Sequence, residues 1–531
     1  MARSDPTRGR AQPWFRSRRA FLGEAACATF SAAALRHLPA GWWTRRSDGN
    51  GAVGELALLV RWVRELAPER LTRELVDRIR DGLTPESLLR ALLHAGLADV
   101  RPQPVGFQFH CVLQLPAVWG GVAKSPVTPD SWLPLGYALH QYLLLKARAK
   151  PGGGLPVAPE PAVLPSAPTA AAELDRALRE FDLEAGDAAV TALVRGGDRV
   201  ALRRTLLPFA ARNFTDVGHH PIFAAGAVEL LEAFGWDDAE PLLRSLVRGL
   251  LLPGPSEACD DFARSREIAA AIAAREHDWI APELLAALRL GPAAAPDARF
   301  DLSTLPASPA AAQAALLAWL ARSGGEASQF FSGFAAVIDL ALELLAENRG
   351  LLAVHALTST AALYELAAGQ DVAERWTTLL QAAAWLPRWR AAFGGARVKS
   401  RTESPLLDDF IQDLGAAGAV GATGAAAATF LELRGDDRRS GALAVARAIV
   451  ADDAGDGSIA FWRAGRSRLV AKGREAHDWK YFHALQRMAF LPGYFEGRRG
   501  AARQAWLHYN SRTGDEADFA PVAELRQALG G

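Results

Sequence analysis

Four histidine-bearing segments hold the residues of this chain best suited to chemistry. They are Phe109-His110-Cys111-Val112-Leu113, Gly218-His219-His220-Pro221-Ile222, Val354-His355-Ala356-Leu357-Thr358 and His477-Asp478-Trp479-Lys480. In three of the four, a His falls near the start of an apolar helix rich in small residues. Small residues let helices approach closely, so the pattern predicts imidazoles converging on one cavity. A His in a first turn feels the positive end of the helix dipole, which disfavours its charged form. A neutral imidazole is what a metal ligand or a general base requires. His110, His220, His355 and His477 are therefore the candidate catalytic residues. Thr358 and Lys480 are candidates to orient a substrate or to hold a developing oxyanion. His219, His220 and His355 are the candidate metal ligands. Pro221 suits the first helical position and leaves both neighbouring imidazoles at the helix mouth. The contexts of His220 and His355 are the most alike, and the identity of the metal stays open.

The competing reading makes each His a structural cap or a hydrogen-bonded core residue. The His pair at i,i+4 and the HExxH motif of helical zinc sites are absent, and His477 and His483 are spaced poorly for one helix face. The candidate carboxylates are Asp478, Glu229, Glu232 and Glu365, most of them fitting solvated faces. No GxSxG, GxxxxGK[ST], strand-borne GxGxxG or CxxCH occurs, so nucleophile-elbow, phosphate-loop, dinucleotide and haem-attachment chemistry have no sequence support. Cys27, Cys111 and Cys259 are far apart, against a disulfide framework or a thiolate zinc site. Among the 15 Trp, those at 62, 119, 132, 236, 319, 376 and 385 fall in apolar helical segments. They predict core, with some able to wall an aromatic pocket.

The elements that must position these residues read as helices almost throughout. Leu56 to Leu66, Pro134 to Leu145, Ala310 to Trp319, Phe334 to Ala346 and Ala373 to Trp385 repeat apolar residues at three- and four-residue spacing. Thr84-Pro85-Glu86 reads as a cap, a Pro at the first helical position and an acidic first turn. Residues 151–170 are rich in Pro and Gly and predict a linker; a second break spans 291–309, and 415–428 is Gly/Ala low complexity. Period-two alternation is nearly absent. The expected fold is all-α: a multi-helical body, with a region 41–150, a linker 151–170 and a main region 171–531. A single large helical domain with a crossing loop fits the same pattern, and a helical repeat array is second choice.

The chain has 531 residues, 59 basic against 59 acidic, and is half hydrophobic. That balance excludes global disorder and argues against a nucleic-acid partner. No run of about 18 uncharged apolar residues occurs, so an integral membrane protein is not expected. The first 46 residues, however, hold nine Arg against Asp5 and Glu24. Within them Ser17-Arg18-Arg19-Ala20-Phe21-Leu22 resembles a bacterial twin-arginine export signal, followed by a short apolar run from Ala25 to Leu35. The resemblance implies a signal region 1–40, the twin-arginine translocase as partner and a periplasmic or other extracytoplasmic location; the cytoplasm is the alternative if the signal goes unused. Such substrates are exported folded and often carry a cofactor. Glu24 and the lack of a clean A-x-A site depart from the pattern and put cleavage in question.

The His segments as a set are similar to a group of bacterial twin-arginine-signal proteins of unassigned function. The match includes Trp132-Leu133-Pro134-Leu135 after His110, Gly235-Trp236 and Leu243-Arg244-Ser245-Leu246 after His220, Ala361-Ala362-Leu363 after Thr358, and Tyr481. It covers roughly 105–490. A more distant similarity is to the questin-oxidase-like family, helical proteins linked to oxygenation of polycyclic aromatics. It rests on an H-x-x-I/L motif at His219 or His220 and on H-x-L/V-T at His355 to Thr358, with different flanks around His220-Pro221. The resemblance implies an oxidoreductase acting on an aromatic or other small molecule. The alternative is a non-catalytic helical scaffold or binding protein of the cell envelope.

Overall fold

The cap read at Thr84 forms, and two further aspartates cap helices that were not read in that way. The Thr84 hydroxyl accepts from the Ser87 amide at 3.1 Å, with Pro85 opening the helix. Asp182 and Asp198 cap their helices in the same way. The computed structural model describes residues 51–102, 109–123, 131–149, 163–214, 216–275, 305–322, 329–348, 351–368, 370–392 and 476–488, with isolated positions at 161, 280, 469, 524, 525 and 527–529. Of these residues 84% are helical and none lies in a strand. An ordinary globular domain is about one-third helix, so the chain is all-α by a wide margin.

The helices of the described residues are α1 (Gly51–Glu65), α2 (Leu71–Arg80), α3 (Pro85–Asp99), α4 (His110–Leu113), α5 (Leu115–Ala123) and α6 (Leu133–Arg148). There follow α7 (Ala167–Glu180), α8 (Leu183–Arg195), α9 (Arg199–Leu206), α10 (His219–Phe234), α11 (Ala239–Leu251) and α12 (Glu257–Ala273). The set closes with α13 (Pro309–Arg322), α14 (Gln329–Asn348), α15 (Leu351–Ala368), α16 (Val372–Ala392) and α17 (Ala476–Met488). Most of these overrun their sequence-read segments by a few residues. The predicted linker 151–170 is shorter at its end than expected. Ala167 to Ala170 already form the first turn of α7, because Pro168 sits where a helix needs no amide donor. The export motif, residues 151–160 and the Gly/Ala tract 415–428 lie outside the described residues. Among the described residues no helix is long and apolar enough to cross a membrane.

Helix α15 is the axis of the site. It packs on α10, α14, α16 and α17, and residues 353–364 are all buried. A helix buried on every side cannot be amphipathic, and this one reads apolar all round, interrupted by Thr358, Ser359 and Thr360. Those hydroxyls donate to backbone carbonyls of the preceding turn, so they enter the core already satisfied. Elsewhere Asp187 of α8 takes a two-bond clamp from Arg244 of α11, at 2.9 and 2.8 Å, and a third bond from Arg248 at 3.2 Å.

Candidate functional site: a four-imidazole centre

Each ligand candidate reaches the centre through its own local device. His110 is the first residue of the short α4, and Phe109 before it packs edge-on against Phe223 of α10, with ring centroids 4.9 Å apart. His219 opens α10 after a turn in which Val217 (φ 42°) and Gly218 (φ 76°) are both left-handed. That region strongly disfavours a β-branched residue, so the turn is strained. Glycine is needed at 218 for a second reason. A Cβ there would lie 2.6 Å from Ser359 Cβ, so its absence lets the head of α10 close on α15. His355 lies in the second turn of α15. His477 lies in the first turn of α17, which rests on α5 at Gly120 and Gly121. A Cβ on Gly120 would fall 2.0 Å from the His483 ring, and one on Gly121 would lie 3.1 Å from Trp479. Two adjacent glycines weaken α5 as a helix, and the close seating of α17 is what they permit. Buried Arg487 of α17 also pairs with Glu365 of α15, joining the helices that carry His477 and His355.

The four side chains meet tip to tip. His110 Nε2 lies 3.1 Å from His219 Nε2, His219 Nε2 lies 3.0 Å from His355 Nε2, and His355 Nε2 lies 3.1 Å from His477 Nε2. The ring of His477 returns to that of His110 at a centroid distance of 5.3 Å. The ligand nitrogens of His110, His355 and His477 all fall within 4.8 Å of one another. All four residues are between 0% and 3% exposed, so bulk water does not separate them.

These contacts conflict with one another. His219 Nδ1 is 2.8 Å from the Asp216 carbonyl, which can only accept, so Nδ1 carries the proton and Nε2 is bare. That nitrogen has one in-plane lone pair, yet both His110 and His355 point at it. His355 Nε2 likewise has one in-plane function, a proton or a lone pair, and is approached by His219 and His477. At most two of the three contacts can be two-centre hydrogen bonds. Protonating a ring adds donors and no acceptors, so it leaves the conflict in place. Burial, then the charge of nearby Lys480 and the imidazoles of His355 and His110, hold His219 well below the usual imidazole range, so it is neutral. A cation held by His110, His355 and His477 would take their lone pairs and ease the conflict. Imidazole nitrogens bind at about 2.0–2.1 Å, which sets neighbouring ligands about 2.9 Å apart in a square and about 3.3–3.4 Å apart in a tetrahedron. The three close contacts, at 3.0–3.1 Å, fall in that range, and the set whose ligand nitrogens all lie within 4.8 Å of one another is His110, His355 and His477, with His219 joined to it through His110 and His355.

The structure brings together His110, His219, His355 and His477. Lys480 is fully buried and close enough to bear on His219. Two other candidates stand elsewhere. His220 donates from Nδ1 to the Asn213 carbonyl at 3.1 Å, with the Gly249 backbone on the same ring. One residue is about 100° of helix rotation, enough to turn His220 towards α11. The expected pairing of His220 with His355 is thus made by His219. Thr358 donates to the Val354 carbonyl at 2.9 Å, so its hydroxyl is engaged within α15. Cys111 follows His110 directly, but burial pushes its thiol well up, so it stays protonated and is no thiolate ligand. Among the carboxylates, Glu365 pairs with Arg487 and Glu232 with Arg203. Sequence reasoning left His219 out of the catalytic set and His110 and His477 out of the metal set. The usable signal was the stripe His219–Phe223–Gly226–Leu230, which places His219 on the face of α10 that meets α4 and α5. No family model, no curated protein and no solved structure matches the chain.

Proposed function

We propose that the protein is a metalloprotein that holds one divalent transition ion on His110, His355 and His477, with His219 packed against that set, and that this centre works as an oxidoreductase on an aromatic or other small molecule. The observation that carries the metal is the convergence of three buried imidazoles, His110, His355 and His477, whose ligand nitrogens all lie within 4.8 Å of one another. Neutral imidazoles suit Zn, Cu, Fe and Ni, and of these Cu and Fe change oxidation state readily. The oxidoreductase class draws on the resemblance of the His219 and His355 motifs to the questin-oxidase-like family. Lys480 beside the centre supplies a positive charge that favours an anionic oxygen on a bound substrate. The Ser17 to Leu22 motif supports export through the twin-arginine route, which carries folded proteins and so would deliver the loaded centre.

A second reading counts His219 as a fourth ligand. Four protein ligands close a tetrahedral ion, which is the mark of a structural site. In that case the ion clasps four helices of an envelope scaffold. Elemental analysis of protein purified from its native compartment tests the first claim: a stoichiometric ion is expected, and its absence rejects both forms. Azide added to the loaded protein separates the two. A spectral change marks an open position and chemistry, whereas an unaltered spectrum leaves the clasp.

A further inference from the structure

Helix α1 and the end of α2 enclose an open groove of about 350 Å³. Ligand clefts span about 300–1,000 Å³, so the groove is large enough to hold side chains of another segment. Its floor is apolar, formed by Leu59 and Leu83, and its walls bear the carboxylates of Glu55, Glu74, Asp77 and Asp81. Glu74 is engaged, accepting from Arg70 at 2.6 Å and from Trp62 at 2.9 Å, and Asp77 lies 3.8 Å from Arg80. Glu55 and Asp81 have no ion pair among the described residues. Leu58 follows Glu55 at i+3 on α1 and is 57% exposed, so the rim adds an uncovered apolar side chain to the charge. The groove thus fits an occupant that is at once cationic and aromatic.

The chain carries such a segment beside the groove. Trp42-Trp43-Thr44-Arg45-Arg46 ends five residues before α1 begins at Gly51. Extended backbone covers about 3.3–3.6 Å per residue, so those five residues take Arg46 up to about 17 Å from Gly51. Glu55 and Leu59 lie only about 6 and 12 Å along α1 from the same point, at 1.5 Å per residue. The segment therefore reaches the groove by doubling back along α1. We propose that residues 42–46 dock there, Arg45 and Arg46 pairing with Glu55 and Asp81 while the indoles of Trp42 and Trp43 cover Leu58, Leu59 and Leu83. Each indole brings about 150–250 Å² of largely apolar surface that water solvates poorly. The groove exists only once α1 and α2 have packed, so the contact holds the basic N-terminal region at its root only on the folded chain. It is independent of the metal reading and of any export role for residues 1–40.

Trypsin cuts after arginine, so it reads the contact in the native full-length chain. The comparison is between the wild type and a variant carrying Glu55→Gln, Asp77→Asn and Asp81→Asn together, with the cut sites themselves unchanged. Cleavage after Arg45 and Arg46, timed by mass spectrometry, should run at least about ten-fold faster in the variant, because proteolysis follows the population of the opened segment. Cleavage after Arg18 and Arg19 should stay within about two-fold, as an internal control. Trp42→Ser with Trp43→Ser should speed the same two cuts with the groove intact. Sodium chloride at about 0.5 M should do so in the wild type, since it screens exposed ion pairs, and this arm needs no variant to fold. Equal rates at Arg45 and Arg46 in wild type and variants overturn the inference. So does a wild-type rate that rises on dilution, which assigns the groove to the segment of a second copy.

Discussion

The four-imidazole centre and the Asp187 clamp are both buried, polar and built from separate helices, yet they are complete to different degrees. Asp187 accepts three charge-assisted bonds from Arg244 and Arg248, each donor finding an oxygen. At the centre, nitrogens of one kind face each other and no assignment of protons satisfies all of the contacts. A clamp that satisfies itself belongs to the fold. A cluster whose contacts compete for the same nitrogens is where a bound ion is to be sought. Polarity and burial alone do not separate the two; complementarity does.

Removing one side of the clamp is the most damaging way to probe this contrast. Asp187→Ala leaves two guanidinium groups buried without their carboxylate, and breaking a buried pair from one side costs about 3–5 kcal/mol. Denaturant unfolding should show the same loss in metal-free and metal-loaded protein. A loss below about 1 kcal/mol would mean that Glu240, 3.7 Å from Arg244, can replace the aspartate.

At the centre the order of effects reverses. His355 makes two of the three tip-to-tip contacts, so His355→Ala should weaken metal binding at least about 100-fold, or roughly 2.7 kcal/mol. The metal-free protein should hardly lose stability, since the substitution also relieves the conflict. His220→Ala is the internal control, the neighbouring imidazole with backbone partners. Its metal affinity, read by competition with a chromophoric chelator, should stay within about two-fold of wild type. Equal loss in both variants would erase the distinction between His219 and His220.

Acid gives a smaller, graded effect. Burial holds His219 and His220 below their ordinary 6.5, so the folded chain takes up these protons less readily than the unfolded one. Their contribution is present above pH 6.5 and is lost as pH falls through the lowered folded values. Each can add a slope of up to about 1.4 kcal/mol per pH unit in that window. Metal-free stability followed from pH 8 to pH 5 should be level and then fall, and His220→Ala should flatten part of the fall. The smallest change is expected of Thr358→Val. Its hydroxyl bonds a carbonyl that the helix also serves, so stability should move by about 1 kcal/mol or less and metal affinity not at all.

The all-α body was legible because three- and four-residue apolar spacing persists through α1, α6, α14 and α16. The four His segments were legible as a set because each lies in or beside sequence rich in small or aromatic residues. Which imidazole of each segment faces inward was not. His219 and His220 are adjacent, and their roles part only through the position of α11, a tertiary fact. His355 was read as a helix opener, yet α15 begins four residues earlier at Leu351, because apolar residues on all sides of that helix hide its start. Thr358 stands at i+3 from His355 and looked available. A threonine inside a helix usually bonds back to the preceding turn, and this one does. The glycines at 120, 121 and 218 signal close approach, but one chain read alone does not say what approaches.

The order of the ligands along the chain sets a timetable. Successive histidines of the centre are separated by 109, 136 and 122 residues. At a synthesis rate of about 5–20 residues per second, neighbouring ligands emerge on the order of 5–30 s apart. An unfinished chain therefore shows one, two and then three imidazoles for long intervals before α17 is made. On the proposed metal reading, any ion captured early is held by an incomplete set and can be lost again. Tight capture waits for His477 and for the seating of α17 on Gly120 and Gly121. The centre thus acts as a coincidence detector: it closes only when distant stretches of the polypeptide have all been made and have all docked.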